Sequence, residues 1–168
     1  FAKFEVTYAV TSGELVEQLR LHRLNCVIVN DEALEEDRAS FSVASLFRDP
    51  LVLAVPSAVP HEMVERALQK GVKASQLDPI LSRYVEIDAN VPMRGASDAW
   101  YRAHLPYATP AFSAMTYAAA IDIVAEGLAT AHTPLSLLPS LPQSVRSRLR
   151  VYAIPGLDRN IVLAMPKH

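Results

Sequence analysis

Cysteine is almost missing from this chain: Cys26 is the only one in 168 residues. A lone thiol cannot close an internal disulfide, so packing alone must hold the fold, and such usage fits a reducing cytoplasm. Glycine is scarce as well, and its five copies build neither a phosphate-cradling loop nor a nucleophile elbow. The five histidines, at positions 22, 61, 104, 132 and 168, show no metal-ligand spacing, so no metal and no cofactor are expected. An excess of one charge sign is also lacking. Sixteen basic residues face eighteen acidic ones, which removes the electrostatic case for nucleic-acid binding by this chain itself. No apolar run reaches the length of a membrane span and no signal-peptide pattern appears, so a membrane partner is not expected.

What is present is a globular composition, with 51% hydrophobic and 20% charged residues. A chain of this length can bury a sizeable core as one domain or two small lobes. The segment 113–139 is the most informative. Ser113 is placed to cap a helix, with Thr116 in its first turn. Tyr117, Ala120, Ile121, Val124 and Ala125 recur at three-and-four spacing and define one buried stripe. Gly127 stands where a left-handed residue ends a helix, and residues 128–131 then enter a sheet.

Elsewhere, residues 5–10 (EVTYAV) read as a strand, 14–22 as a helix with Leu15, Val16 and Leu19 inward, and 26–29 (CVIV) as a strand buried on both faces. Together they predict a βαβ unit with Cys26 packed in the core. Ser12 and Leu15 do not make a capping box, so a simple Ser or Thr cap is expected for that helix. Residues 30–40 read as an acidic loop, 51–55 (LVLAV) as a buried strand, 61–70 as a helix stopped by Gly71, and 84–87 as a short strand. A turn-rich loop at 89–95 precedes a helix at 97–104, on which Trp100 and Tyr101 are core residues. Strand 108–112 is broken by Pro110, which places it near an edge or ends it early. Residues 151–154 and 161–165 read as two last strands, separated by Pro155 and Gly156.

Alternating strands and helices argue for an α/β fold. The proline-rich break at 56–60 and the basic stretch before Val151 suggest two crossings between lobes. Lobe I would be 1–55 with 151–168, and lobe II would be 56–150.

Four blocks, in order along nearly the whole chain, resemble the effector-binding domain of LysR-type transcriptional regulators. They are VTYAVTSGELVEQLRLHRLNCVIV, LFRDPLVLAVPSAVP, IVAEGLATAHTP and LDRNIVLAMP. Asn25 stands at the family's usual aspartate position, and Ala129 at its second glycine. The resemblance implies a two-lobed, Rossmann-like fold of the type 2 periplasmic-binding-protein kind, with two crossover strands and a ligand cleft between lobes. It implies a cytoplasmic sensor that takes a small effector and alters how a homodimer or homotetramer sits on DNA. DNA contact would belong to a winged helix-turn-helix domain that this sequence does not contain. The chain opens on Phe1 rather than methionine and is expected to be a fragment.

Ligands in such folds sit at strand carboxyl ends. Thr11 and Ser12 follow the first expected strand and open a helix, so they are candidates to hold a carboxylate or an amino-acid-like effector. Ser113, Met115 and Thr116 are candidates on the same logic. Asp88, Asn90 and Arg94 follow strand 84–87, and Arg94 offers a bidentate fork to a carboxylate. His132 is the remaining candidate, with a structural role as the competing reading. No catalytic residue is assigned. A transport-type solute-binding protein of the same fold is the alternative, and an enzyme ranks below both.

Overall fold

The computed structural model describes residues 2–167 and divides into two compact units. The first takes the chain up to Arg48 and again from Asn160; the second is Asp49–Arg159. Two long strands, β2 (Phe41–Pro56) and β6 (Leu149–Pro166), each contribute residues to both units. The divide therefore falls inside strands, at 48/49 and 159/160, and not at the proline-rich break or the basic stretch. Both strands run unbroken past these points, and local composition does not record that. The α/β class with two lobes and two crossover strands holds.

In the first unit, α1 (Ser12–Arg20) buries Val16 and Leu19, and β1 (Val27–Asn30) buries Val27 and Val29. With Leu34, Phe41, Val162 and Ala164 they form one core. β1 pairs antiparallel with β6, in the register Val27↔Ala164 to Asn30↔Ile161. Two expectations are corrected here. Residues 5–10 form no strand: an alternating apolar pattern becomes a strand only with a ladder partner, and Phe4, Val6 and Tyr8 stay 76–90% exposed. The expected βαβ unit is consequently not formed there. Cys26 is exposed and Ile28 is 59% exposed, because β1 packs on one face only and alternates accordingly.

The second unit holds two cores. Residues 51–54 of β2 pair antiparallel with β5 (Ala131–Pro134). β3 (Arg83–Ile87) and β4 (Thr109–Ala114) are parallel, joined through α3 (Arg94–His104), and this is where the crossover motif lies. Pro110 is absorbed by a register shift between Tyr84 and Val85, so the strand continues past it to Ala114. α2 (His61–Ala67) and α3 pack Val64, Trp100, Tyr101 and Leu105 against Leu51, Leu53 and Val55. α4 (Tyr117–Ala125) buries Ala120, Ile121, Val124 and Ala125 against Val85, Ile87 and Ala131. Burial of these four small and branched side chains, at about 25 cal/mol per Å² of apolar surface, is what holds α4 in place. A last short helix, α5, spans Gln143–Arg146.

Several boundaries move. Gly127 does take a left-handed φ of +77°, but exposed Leu128 belongs to the turn and the strand starts at Ala131. α3 starts at Arg94, inside the expected loop. The two expected last strands are one continuous β6, which passes through Gly156 at φ +89°.

Candidate functional site

Thr11 is the N-cap of α1, and here a capping box does form. The Thr11 hydroxyl accepts from Glu14 N (3.3 Å), while the Glu14 carboxylate accepts from Thr11 N (3.3 Å) and Val10 N (3.0 Å). Ser12 is one residue inside the cap, and its Oγ accepts from Asn30 N at 3.4 Å. Both hydroxyls thus act as acceptors inside the first unit, which leaves their O–H protons as donors for another group.

The second unit gathers most of the other candidates at the carboxyl ends of β3 and β4. Asp88 follows β3; its N–H donates to Ala114 O (2.9 Å), and its Oδ1 accepts from Asn90 N (2.9 Å) in an Asx turn. Ser113, in β4, donates its hydroxyl to Glu86 Oε1 at 2.7 Å. Glu86 Oε2 accepts from Arg94 Nη2 at 2.7 Å. Arg94 also donates from Nε to Asp98 Oδ2 (2.7 Å) and from Nη1 to Ile87 O (2.5 Å). The Asp98 hydrogen bond, working against the cost of desolvation, raises the Arg94 pKa further above its ordinary value. Tyr84 donates to Asp98 Oδ1 at 3.3 Å; burial, and then the Asp98 charge, push its phenol upward. Arg94 is therefore not an open fork in this state. Nη1 and Nη2 tie α3 to the end of β3, and Nε binds Asp98 within the helix. Met115 is 64% exposed, and Thr116, not Ser113, caps α4 by accepting from Ala119 N at 3.1 Å.

His132 lies in β5 and is 1% exposed. Its Nδ1 is 2.5 Å from Ser97 Oγ, its ring stacks on Tyr101 at 4.6 Å, and it meets Trp100 edge-on at 4.8 Å. Burial drives its pKa from 6.5 down to about 3, so it is neutral at physiological pH. Its Nε2 is buried without a hydrogen-bond partner. Tyr101 continues the stack to Tyr84 at 3.9 Å and shares a 3.0 Å hydrogen bond with Thr130; burial pushes its phenol strongly upward. Positions 94, 97, 98 and 101 share one face of α3. That face links the Arg94 group to the His132 group, although His132 belongs to the interior and not to the exposed strand ends.

Sequence reasoning missed a further cluster in the second unit. Asp49, 2% exposed, accepts from Ser136 N (3.0 Å), Ser136 Oγ (2.6 Å) and Arg159 Nη2 (2.5 Å). Burial alone would raise its pKa, but the hydrogen bonds from Arg159 and Ser136 outweigh it and hold the carboxyl below its ordinary 3.8. The Arg159 guanidinium lies 5.6 Å from the ring centre of Tyr117, the first residue of α4. Positions 49, 136 and 159 share no spacing in sequence; only a charged residue set directly before the apolar run 51–55 hints at Asp49. Among the described residues no group of three or more His, Cys, Asp or Glu is placed to hold a metal ion. No described helix is long and apolar enough to cross a membrane.

The profile of the LysR substrate binding domain matches residues 3–168. The chain belongs to that family. Solved structures agree on the fold of this LysR domain. A sulfate-bound variant of the OxyR2 regulatory domain from Vibrio vulnificus superposes with a TM-score of 0.63 at 19% identity, covering 93% of this chain and 69% of that one. The effector binding domain of QuiR in complex with shikimate gives 0.64 at 16% identity, covering 94% and 69%. The CcmR regulatory domain of Synechocystis in complex with 2-PG gives 0.66 at 14% identity, covering 93% and 70%. No curated protein matches this chain by sequence.

Proposed function

We propose that this LysR domain is the ligand-sensing part of a bacterial transcriptional regulator, and that its effector is a small carboxylate or amino-acid-like molecule bound without turnover. The family match over residues 3–168 carries this reading. Structures of the same fold hold small molecules: sulfate in OxyR2, shikimate in QuiR and 2-PG in CcmR. The proposed contacts are Thr11 and Ser12 in the first unit, and Asp88, Asn90, Ser113, Met115 and Thr116 in the second. Thr11, Ser12 and Thr116 use their hydroxyl oxygens as acceptors and so keep their O–H protons to donate, which suits an acceptor-rich ligand. Arg94 and His132 act behind these contacts, fixing the strand ends and α3. The sensor works as a homodimer or homotetramer whose DNA contacts lie in a winged helix-turn-helix domain of the parent protein.

Calorimetry of the full-length regulator against a panel of small carboxylates and amino acids tests this. Saturable binding of at least one member, with the ligand recovered unchanged, is expected. A panel in which nothing binds sinks the reading.

A further inference from the structure

The anionic effector needs a cation, and the arginine that the sequence singles out is the wrong one. Arg94 spends Nε on Asp98, Nη1 on Ile87 O and Nη2 on Glu86. A ligand carboxylate must break one of these bonds, and it must approach beside two carboxylates that already flank the guanidinium. Arg159 differs in each respect. Among the described residues its Nη2 donates to Asp49, and its Nε is buried with no acceptor. Nearly all buried donors in folded proteins are paired, so a charged donor left open asks for a partner. Its side chain keeps 20% of its surface exposed, so an incoming group can reach it. Asp49 does not depend on Arg159 alone, since Ser136 supplies it with two further hydrogen bonds. The guanidinium can thus turn toward a second anion without stranding a buried carboxylate. Tyr117 underlies it and follows Met115 and Thr116 directly, so Arg159 stands against the same start of α4 where effector contacts are proposed.

We infer that Arg159 is the side chain that takes the effector's anionic group, with the Tyr117 ring as its seat and Asp49 as a built-in competitor. The inference rests on the anionic-effector reading above and assigns its specificity to one residue. It makes a prediction of opposite signs. Loss of Arg159 weakens anion binding, whereas loss of the Asp49 charge strengthens it, because the guanidinium is then no longer neutralised.

The test is calorimetry of the full-length regulator with sodium succinate and with sodium sulfate, at constant ionic strength. Relative to the unaltered protein, Arg159→Gln is expected to bind at least tenfold more weakly, Arg159→Lys to fall between, and Asp49→Asn to bind several-fold more tightly. Arg159→Gln within twofold of the unaltered protein overturns the assignment. So does parallel weakening in Asp49→Asn, which marks the pair as merely structural. Should Arg159→Gln fail to fold, the sign of the Asp49→Asn change decides, together with the Arg159 Nε–H resonance of the unaltered protein. That resonance is expected to shift saturably with succinate, and a shift that does not saturate overturns the assignment. Succinate and sulfate both failing to bind also overturns it. The sensing reading itself falls only if the wider panel is blank too.

Discussion

His132 and Asp49 are buried ionisable groups whose protonation couples to stability in two successive, overlapping pH windows. His132 stays neutral in the fold down to about pH 3, whereas an unfolded histidine takes up its proton near 6.5. Between these values the unfolded chain binds more protons, so stability falls as pH falls, by about 1.4 kcal/mol per pH unit for one such group. Asp49, held below 3.8, acts later. Its contribution is complete above the unfolded value and is lost as pH drops through the folded one. Urea unfolding at a series of pH values from 7 to 3 is expected to show a declining midpoint from about pH 6.5 downward. His132→Leu should flatten the upper part of that decline. An unaltered slope in this variant assigns the proton uptake elsewhere. Whether a histidine titrates in the usual range or far below it depends on what surrounds it, and Ser97, Trp100 and Tyr101 come to His132 from another element.

At the scale of elements, α4 is the best test of how far local sequence reaches. Its buried stripe and glycine stop are written in the residues themselves, and four of the five stripe positions are fully or almost fully buried. Its cap was not legible. Ser113 and Thr116 both suit the role, but β4 remains paired with β3 through Ala114, so Ser113 serves the sheet and Thr116 caps. Thr116→Ala is expected to cost about 1 kcal/mol of stability. Gly127→Ala is expected to cost about 1–2 kcal/mol through its positive φ alone, because nothing lies within 4 Å of the added Cβ. Denaturant midpoints of both variants check these values; a neutral Gly127→Ala would mean that the turn relaxes. The same contrast runs through the chain. Alternation suggests a strand at 5–10 and misses one at 41–48, since pairing partners, which decide both, are distant in sequence. Residue type marks Arg94 but not its ties, because the i,i+4 link to Asp98 requires a helix that starts earlier than its loop-like sequence suggests. The Asp49, Ser136 and Arg159 group assembles from three separate segments and left no pattern to read.

For the molecule as a whole, the cores respect the division into units: one core lies in the first and two in the second. On the proposed reading, sensing separates in the same way from DNA reading in the parent regulator. Deleting this LysR domain from the full-length protein is expected to change induction and to leave the DNA half-site preference intact, as measured by binding-site selection. A changed half-site preference would refute that division of labour. The chain also carries its own means of watching such changes. Trp100 is the single tryptophan, 8% exposed, stacked at 4.8 Å on His104 and set edge-on to His132 at 4.8 Å. Indole emission therefore originates from one helix, where the ring lies against two imidazoles. An effector that changes the packing around α3 is expected to change the native fluorescence spectrum, with no label attached.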